Sequence, residues 1–192
     1  MVERAAGVLR PLSRKSSAVT TAKPTVVLGI DPGTAVTGYG VVSSDMRGHS
    51  TLLECGVIRT AASQPLSKRL LDIYEGISEL ITRHKPDRVA VESVFYARNV
   101  RTTIVLGHAR GVILLAAEAA GIEIDEYPPA EIKKVIAGTG AATKAQIQFM
   151  VATLLRLKSP PQPADAADGV AAALCSCMSP RLPRPLLLQE PK

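Results

Sequence analysis

The chain has no tryptophan and only two phenylalanines in 192 residues, so aromatic packing contributes little and any aromatic outside the core needs a reason to be there. Cysteine is also scarce. Cys55, Cys175 and Cys177 form no paired framework, which argues against a disulfide-stapled secreted scaffold and fits a reducing cytosol. Cys175 and Cys177 are separated by one residue, too close for usual zinc spacing, and all three cysteines read as small buried hydrophobes. No apolar run is read as long enough to span a bilayer, so the expectation is a cytoplasmic protein with no membrane association.

A charge excess is also lacking where it would matter most. The formal net charge is +6, but residues 24–179 hold fifteen basic and fifteen acidic side chains. The surplus sits in an Arg- and Ser-rich segment, 1–23, and a proline-rich segment, 180–192. These read as a disordered basic N-terminal arm and a disordered tail flanking one domain, 24–179. A nucleic-acid face on that domain therefore requires local clustering of cations.

What is present is a globule's share of apolar residues, 46%, arranged in short periodic segments. Thr25 to Ile30 is a β-branched run suited to a strand buried on both faces, with Asp31 at its end and Pro32-Gly33 turning the chain. Thr37 to Ser43 and Thr51 to Thr60 read as further strands, joined through the turn-like 44–50 into an antiparallel meander. Leu66 to His84 has a helical period, and Arg88 to Glu92 repeats the pattern of a buried strand ending in an acid. A helix over Asn99 to Ala120, a strand over Ile122 to Tyr127, and helices over 130–137, 143–157 and 164–177 complete the chain. The strands at 25–31, 88–92 and 122–127 are separated by helical crossovers and should lie parallel. The expected architecture is α/β, a five-stranded mixed sheet with helices on both faces.

Four acids stand in otherwise apolar elements: Asp31, Glu92, Asp165 and Asp168. Alone, Asp31 is a turn-shaping residue. If its strand neighbours that of Glu92, both acids emerge at the carboxyl end of the sheet, where ligand sites of such sheets lie. Asp165 and Asp168 share a helix face; helix-start chemistry accounts for Asp165 better than for Asp168, which lies deeper. Clustered carboxylates repel unless cations neutralise them, and oxygen-only ligands suit Mg²⁺ or Mn²⁺. Two such ions can serve phosphodiester hydrolysis.

The blocks Gly-Ile-Asp-Pro-Gly-Thr at 29–34, Thr-Gly-Tyr-Gly-Val at 37–41, Glu92-Ser-Val-Phe95 with Asn99, Leu106-Gly-His-Ala-Arg-Gly111 and Asp165-Ala-Ala-Asp168 occur in an order that resembles the RuvC family. That family comprises bacterial Holliday-junction resolvases with an RNase H-like fold. The resemblance covers roughly residues 25–178. It implies a homodimer that binds a four-way DNA junction and nicks two opposed strands symmetrically, leaving 5′-phosphates, in homologous recombination and DNA repair. It also implies two Mg²⁺ ions per active site, with Mn²⁺ as a substitute, and partnership with the junction-migration proteins RuvA and RuvB. Asp31, Glu92, Asp165 and Asp168 match the family's catalytic, metal-binding acids. Phe95 matches an aromatic set against unpaired bases, Lys133 and Lys144 match basic positions beside the site, and Arg98-Asn99 falls in a DNA-contacting loop.

The residues themselves leave two readings open for Phe95, base stacking or a core aromatic capping the sheet. Lys133, Lys134, Lys144, Arg156 and Lys158 read either as a solvated helix face or as the missing DNA surface. His49, His84 and His108 have no metal-ligand spacing, and Gly138-Thr-Gly140 lacks the lysine of a phosphate loop. A sugar-kinase-like ATPase would need a second Asp-x-Gly loop and a second lobe, which have no room here. A junction-binding scaffold without catalysis would have no use for four acids.

Overall fold

The computed structural model describes residues 23–93 and 100–179. Five strands form one sheet, and five helices follow or separate them. The strands are β1 (Thr25–Asp31), β2 (Val36–Ser44), β3 (Ser50–Arg59), β4 (Arg88–Glu92) and β5 (Glu123–Tyr127). The helices are α1 (Leu66–His84), α2 (Val100–Ala119), α3 (Pro129–Ala137), α4 (Lys144–Leu154) and α5 (Ala164–Met178). The sheet order is β3-β2-β1-β4-β5, with β1, β4 and β5 parallel and β2 antiparallel to both β1 and β3. This is the expected mixed sheet, with element ends shifted by a residue or so. The exception is α4, which stops at Leu154 rather than 157, with Arg156 in the left-handed region beyond it (φ 53°).

Strand alternation decides which helix covers which face. Leu28, Ile30, Val41, Val89 and Val91 point to one side and pack with Ile73, Ile77 and Leu80 of α1 and Ala109, Ile113, Ala116 and Ala117 of α2. Val27, Val42 and Ala90 point to the other, against Ile132 and Ile136 of α3, Ile147 and Val151 of α4, and the run Val170 to Cys175 of α5. Two cores therefore sandwich the sheet.

Local chemistry explains several boundaries. The β2–β3 hairpin turns on Asp45, whose carboxylate accepts from the backbone N–H groups of Arg47 and His49, with Gly48 at φ 80°. Thr143 caps α4 in a reciprocal capping box with Gln146. Pro129 occupies the first turn of α3, where its missing N–H costs nothing. His84 is committed structurally: its Nε2 lies 2.7 Å from Glu54, which also accepts from Tyr39 and Arg83, tying α1 to β2 and β3.

Two expectations require correction. Cys175 is buried, but Cys55 and Cys177 are only partly so, because they pack at the margin of a core rather than within it. Burial still pushes the Cys175 and Cys177 thiols up to about 12 and about 11, which keeps them protonated. The second concerns α2, which at 20 residues and a mean hydropathy of 1.3 is long and apolar enough, by length and composition, to cross a bilayer. Arg101, Gly107, His108, Arg110, Gly111 and Glu118 interrupt its apolar residues, so the linear sequence shows no unbroken apolar run of that length. Its buried side nevertheless packs on the sheet and α1 in this fold.

Candidate active site

The site is built at the carboxyl end of β1. Residues Val27 to Ile30 pair in register with Arg88 to Val91, so Asp31 and Glu92 both follow directly after the last paired position. Gly29 and Asp31 are two residues apart and share the face covered by α5, as do Ala90 and Glu92. The acids at the ends of two parallel neighbours are thus presented side by side to one helix.

The approach of α5 depends on residues without side chains. A Cβ on Gly29 would lie 2.2 Å from both the Ala173 nitrogen and the Gly169 oxygen. On Gly38, the antiparallel partner of Asp31, it would lie 1.9 Å from the backbone carbonyl oxygen of Asp165. Gly40 faces the Val170 backbone in the same way, and Gly169 is buried against the backbone of Tyr39. The glycines let a helix backbone rest almost directly on a sheet backbone, which sets the first turn of α5 beside the end of β1. Sequence reasoning included Thr37-Gly-Tyr-Gly-Val41 in a motif but missed this positioning role. The period-two spacing of Gly38 and Gly40 on one strand face was the available clue.

One carboxylate oxygen from each of Asp31, Asp165 and Asp168 can be chosen so that all three lie within 4.8 Å of one another. Glu92 is outside that triple but lines the same cleft, of about 250 Å³, together with Asp31, Asp168, Lys133 and Lys144. Pro129, Ile132, Ile147 and Ala171 give the cleft apolar walls. Asp31 and Asp168 thus belong to both groupings, the first of which adds Asp165 and the second Glu92.

The electrostatics follow from this crowding. Burial, then the negative charges of Glu92, Asp168 and Asp165, push the Asp31 carboxyl up to about 7 against the opposing pull of Lys144. Burial followed by Asp168 raises Glu92, and Lys133 and Lys144 partly offset this. The Lys144 ammonium is 2.7 Å from Asp168 Oδ2 and 3.7 Å from Asp165 Oδ1, and the hydrogen bond to Asp168 raises its pKa. Converging, oxygen-only and short of cations, the donor set fits a hard divalent ion.

The structure therefore brings together the four predicted acids and two of the predicted DNA-contacting residues, Lys133 and Lys144. Phe95, Arg98 and Asn99 lie outside the described residues.

A mixed sheet of this order with carboxylates at the end of its central strand defines the class: an RNase H-like protein with the acidic centre of a metal-dependent nuclease. Comparison with known proteins specifies the family. Residues 27–176 match the family model for crossover junction endodeoxyribonuclease RuvC. A RuvC from Pelotomaculum thermopropionicum is 45% identical over 151 residues, covering 78% of this chain and 91% of that protein. The Thermus thermophilus RuvC structure superposes with a TM-score of 0.73 at 37% identity, covering 79% of this chain and 92% of that one. A second structure, T. thermophilus RuvC in complex with Holliday junction substrate, gives 0.72 at 34% identity with the same coverage. The chain belongs to the RuvC family of crossover junction endodeoxyribonucleases.

Proposed function

We propose that this protein resolves four-way DNA junctions, cutting two opposed strands by hydrolysis at the Asp31 centre. The observation that carries the reading is the convergence of Asp31, Asp165 and Asp168 within 4.8 Å, with Glu92 in the same cleft. Outside a cation-binding or proton-handling site, such an arrangement only costs stability.

In this reading Asp31, Glu92, Asp165 and Asp168 would together hold the cations. Four carboxylates would accommodate two Mg²⁺ ions, or Mn²⁺ in their place. When bound, such ions supply Lewis acidity for the attacking water and charge compensation for the leaving oxygen. The protein's own part is orientation. Rigid strand ends and the close-packed α5 hold the carboxylates so that water and the scissile phosphate meet in line. The apolar walls from Ile132, Ile147 and Ala171 limit competing solvent. Lys133 and Lys144 supply positive charge at the rim, which favours a phosphate backbone in a domain of zero net charge. Phe95, Arg98 and Asn99 follow β4 in the sequence and are proposed to contact bases and backbone near the crossover. In-line attack of water on phosphorus with breakage of the P–O3′ bond, the 3′ oxygen leaving and taking up a proton, gives a 5′-phosphate and a 3′-hydroxyl, ends that can be religated.

Symmetric cleavage requires two sites, and hence a homodimer. The exposed apolar residues of α2, Val100, Ile104 and Leu115, provide a face for it (76%, 55% and 60% exposed). They recur at helical spacing along one stripe. This favours α2 over α4, the other helix considered, whose large exposed hydrophobic is Phe149. RuvA and RuvB as functional partners and a cytoplasmic site of action complete the reading.

The test is a nicking assay on a synthetic four-way junction with Mg²⁺. Paired cuts on opposed strands are expected, and Asp31→Asn should abolish cutting while junction binding persists. Normal cutting by that variant would remove Asp31 from the mechanism.

A further inference from the structure

Lys144 is the first residue of α4, directly after the Thr143 cap. A cation is disfavoured there, because the exposed N–H groups of a helix start carry partial positive charge. No acidic side chain occupies the first turn of α4 to compensate. The compensation comes from α5: the Lys144 ammonium lies 2.7 Å from Asp168 Oδ2 and 3.7 Å from Asp165 Oδ1. These two residues also supply oxygens to the converging triple with Asp31.

We propose that Lys144 is a displaceable cation that competes with divalent ions for the Asp165 and Asp168 carboxylates and so sets the metal affinity of the site. The proposal rests on the reading that these acids bind metal. An oxygen accepting a hydrogen bond from an ammonium at 2.7 Å has that lone pair committed. A divalent ion ligated at about 2.0–2.6 Å needs the same electrons, and its charge repels the ammonium. The side chain has somewhere to go: Lys144 is about half exposed, its backbone is held by the capping box, and its flexible stem opens to solvent. Lys133 differs. It lines the same cleft and acts on Glu92 through its field, with no ion pair to an acid among the described residues. Competition therefore assigns to Lys144 an effect that loss of any nearby charge would not reproduce.

Mn²⁺ binding measured by calorimetry on the full-length wild type, Lys144→Met and Lys133→Met separates these cases. Lys144→Met should bind Mn²⁺ about three- to tenfold more tightly, the scale of one charge-assisted contact removed from competition. Lys133→Met should change affinity distinctly less. Equal or weaker binding by Lys144→Met, or an equal gain in Lys133→Met, overturns the proposal. A failure of all three proteins to bind Mn²⁺ overturns the metal reading as well, which distinguishes the two failures. A measurement on the wild-type protein does not depend on variant folding. Adding Mg²⁺ should raise the rate at which an amine-selective acylating reagent modifies Lys144, with exposed Lys134 as the reference. An unchanged relative rate would overturn the displacement.

Discussion

The helices α5 and α2 cover opposite faces of the same sheet and do so in contrasting ways. From Ala166 to Ser176, α5 is buried at every position except Asp168, and at Gly169, Val170 and Ala173 its backbone approaches the sheet directly. By contrast, α2 buries only Ala109, Ile113, Ala116 and Ala117 and leaves Val100, Ile104 and Leu115 exposed. Close backbone packing leaves α5 no freedom to slide, as holding two acids against Asp31 requires. The looser α2 retains an apolar stripe that a second molecule can cover. One helix is packed for precision within the chain; the other keeps the exposed face proposed above for association with a second copy.

The most damaging way to break that contrast is to insert volume under α5. Gly29→Ala places a methyl group 2.2 Å from two backbone atoms of the helix, neither of which can rotate away. It should cost about 1–3 kcal/mol or more in urea unfolding. It should also lower cleavage more than junction binding, because Asp165 and Asp168 are displaced from Asp31. Unimpaired cleavage would show that the acids tolerate movement of the helix.

On the other face, Ile104→Asp buries nothing new within the monomer. Its expected effect is on self-association, raising the dimer dissociation constant by about tenfold or more in sedimentation equilibrium, with little change in monomer stability. A dimer of unchanged strength would move the interface from α2 to another surface.

A gentler probe sharpens the electrostatic side of the comparison. The Asp31 carboxyl is raised from 3.8 to about 7, so the folded state holds its proton where the unfolded chain has released it. The associated stability is present in full below about 4 and is lost as pH rises through about 7. In chelator, the thermal midpoint should therefore fall as pH increases across that window. Mg²⁺ should flatten the slope, and Asp31→Asn should reduce it. A slope unaffected by either would place the titrating group elsewhere.

Much of the fold was legible because its elements are short and strongly patterned. The β-branched strand from Thr25, its counterpart from Arg88 and the helical period from Leu66 emerge as read. So does the hairpin, which turns on Asp45 and Gly48. The four acids were legible for a related reason: charge inside apolar segments is costly enough to be conspicuous. Other features depended on what lies across from a residue. Cys55 and Cys177 looked like core residues because their chemistry is apolar, but they lie at a margin that composition does not reveal. Interruptions in α2 conceal its span-like length when the sequence is read linearly, and only coiling gathers its exposed residues into a stripe. The family resemblance set Lys144 beside the site, but its ion partners are more than twenty positions away on another helix and were not legible.

By itself, then, the sequence determined the sheet and its helices, the parallel core strands and the identity of the acids, because periodicity and the cost of buried charge are local properties. Tertiary structure alone decided that Gly29, Gly38 and Gly40 form the seat for α5. It also decided that Asp31 and Asp168 meet Asp165 in one cluster and Glu92 in one cleft, and that Lys144 pairs with Asp165 and Asp168. Those relations depend on separations of a few ångströms between residues distant in the chain, which packing fixes and spacing along a sequence does not encode.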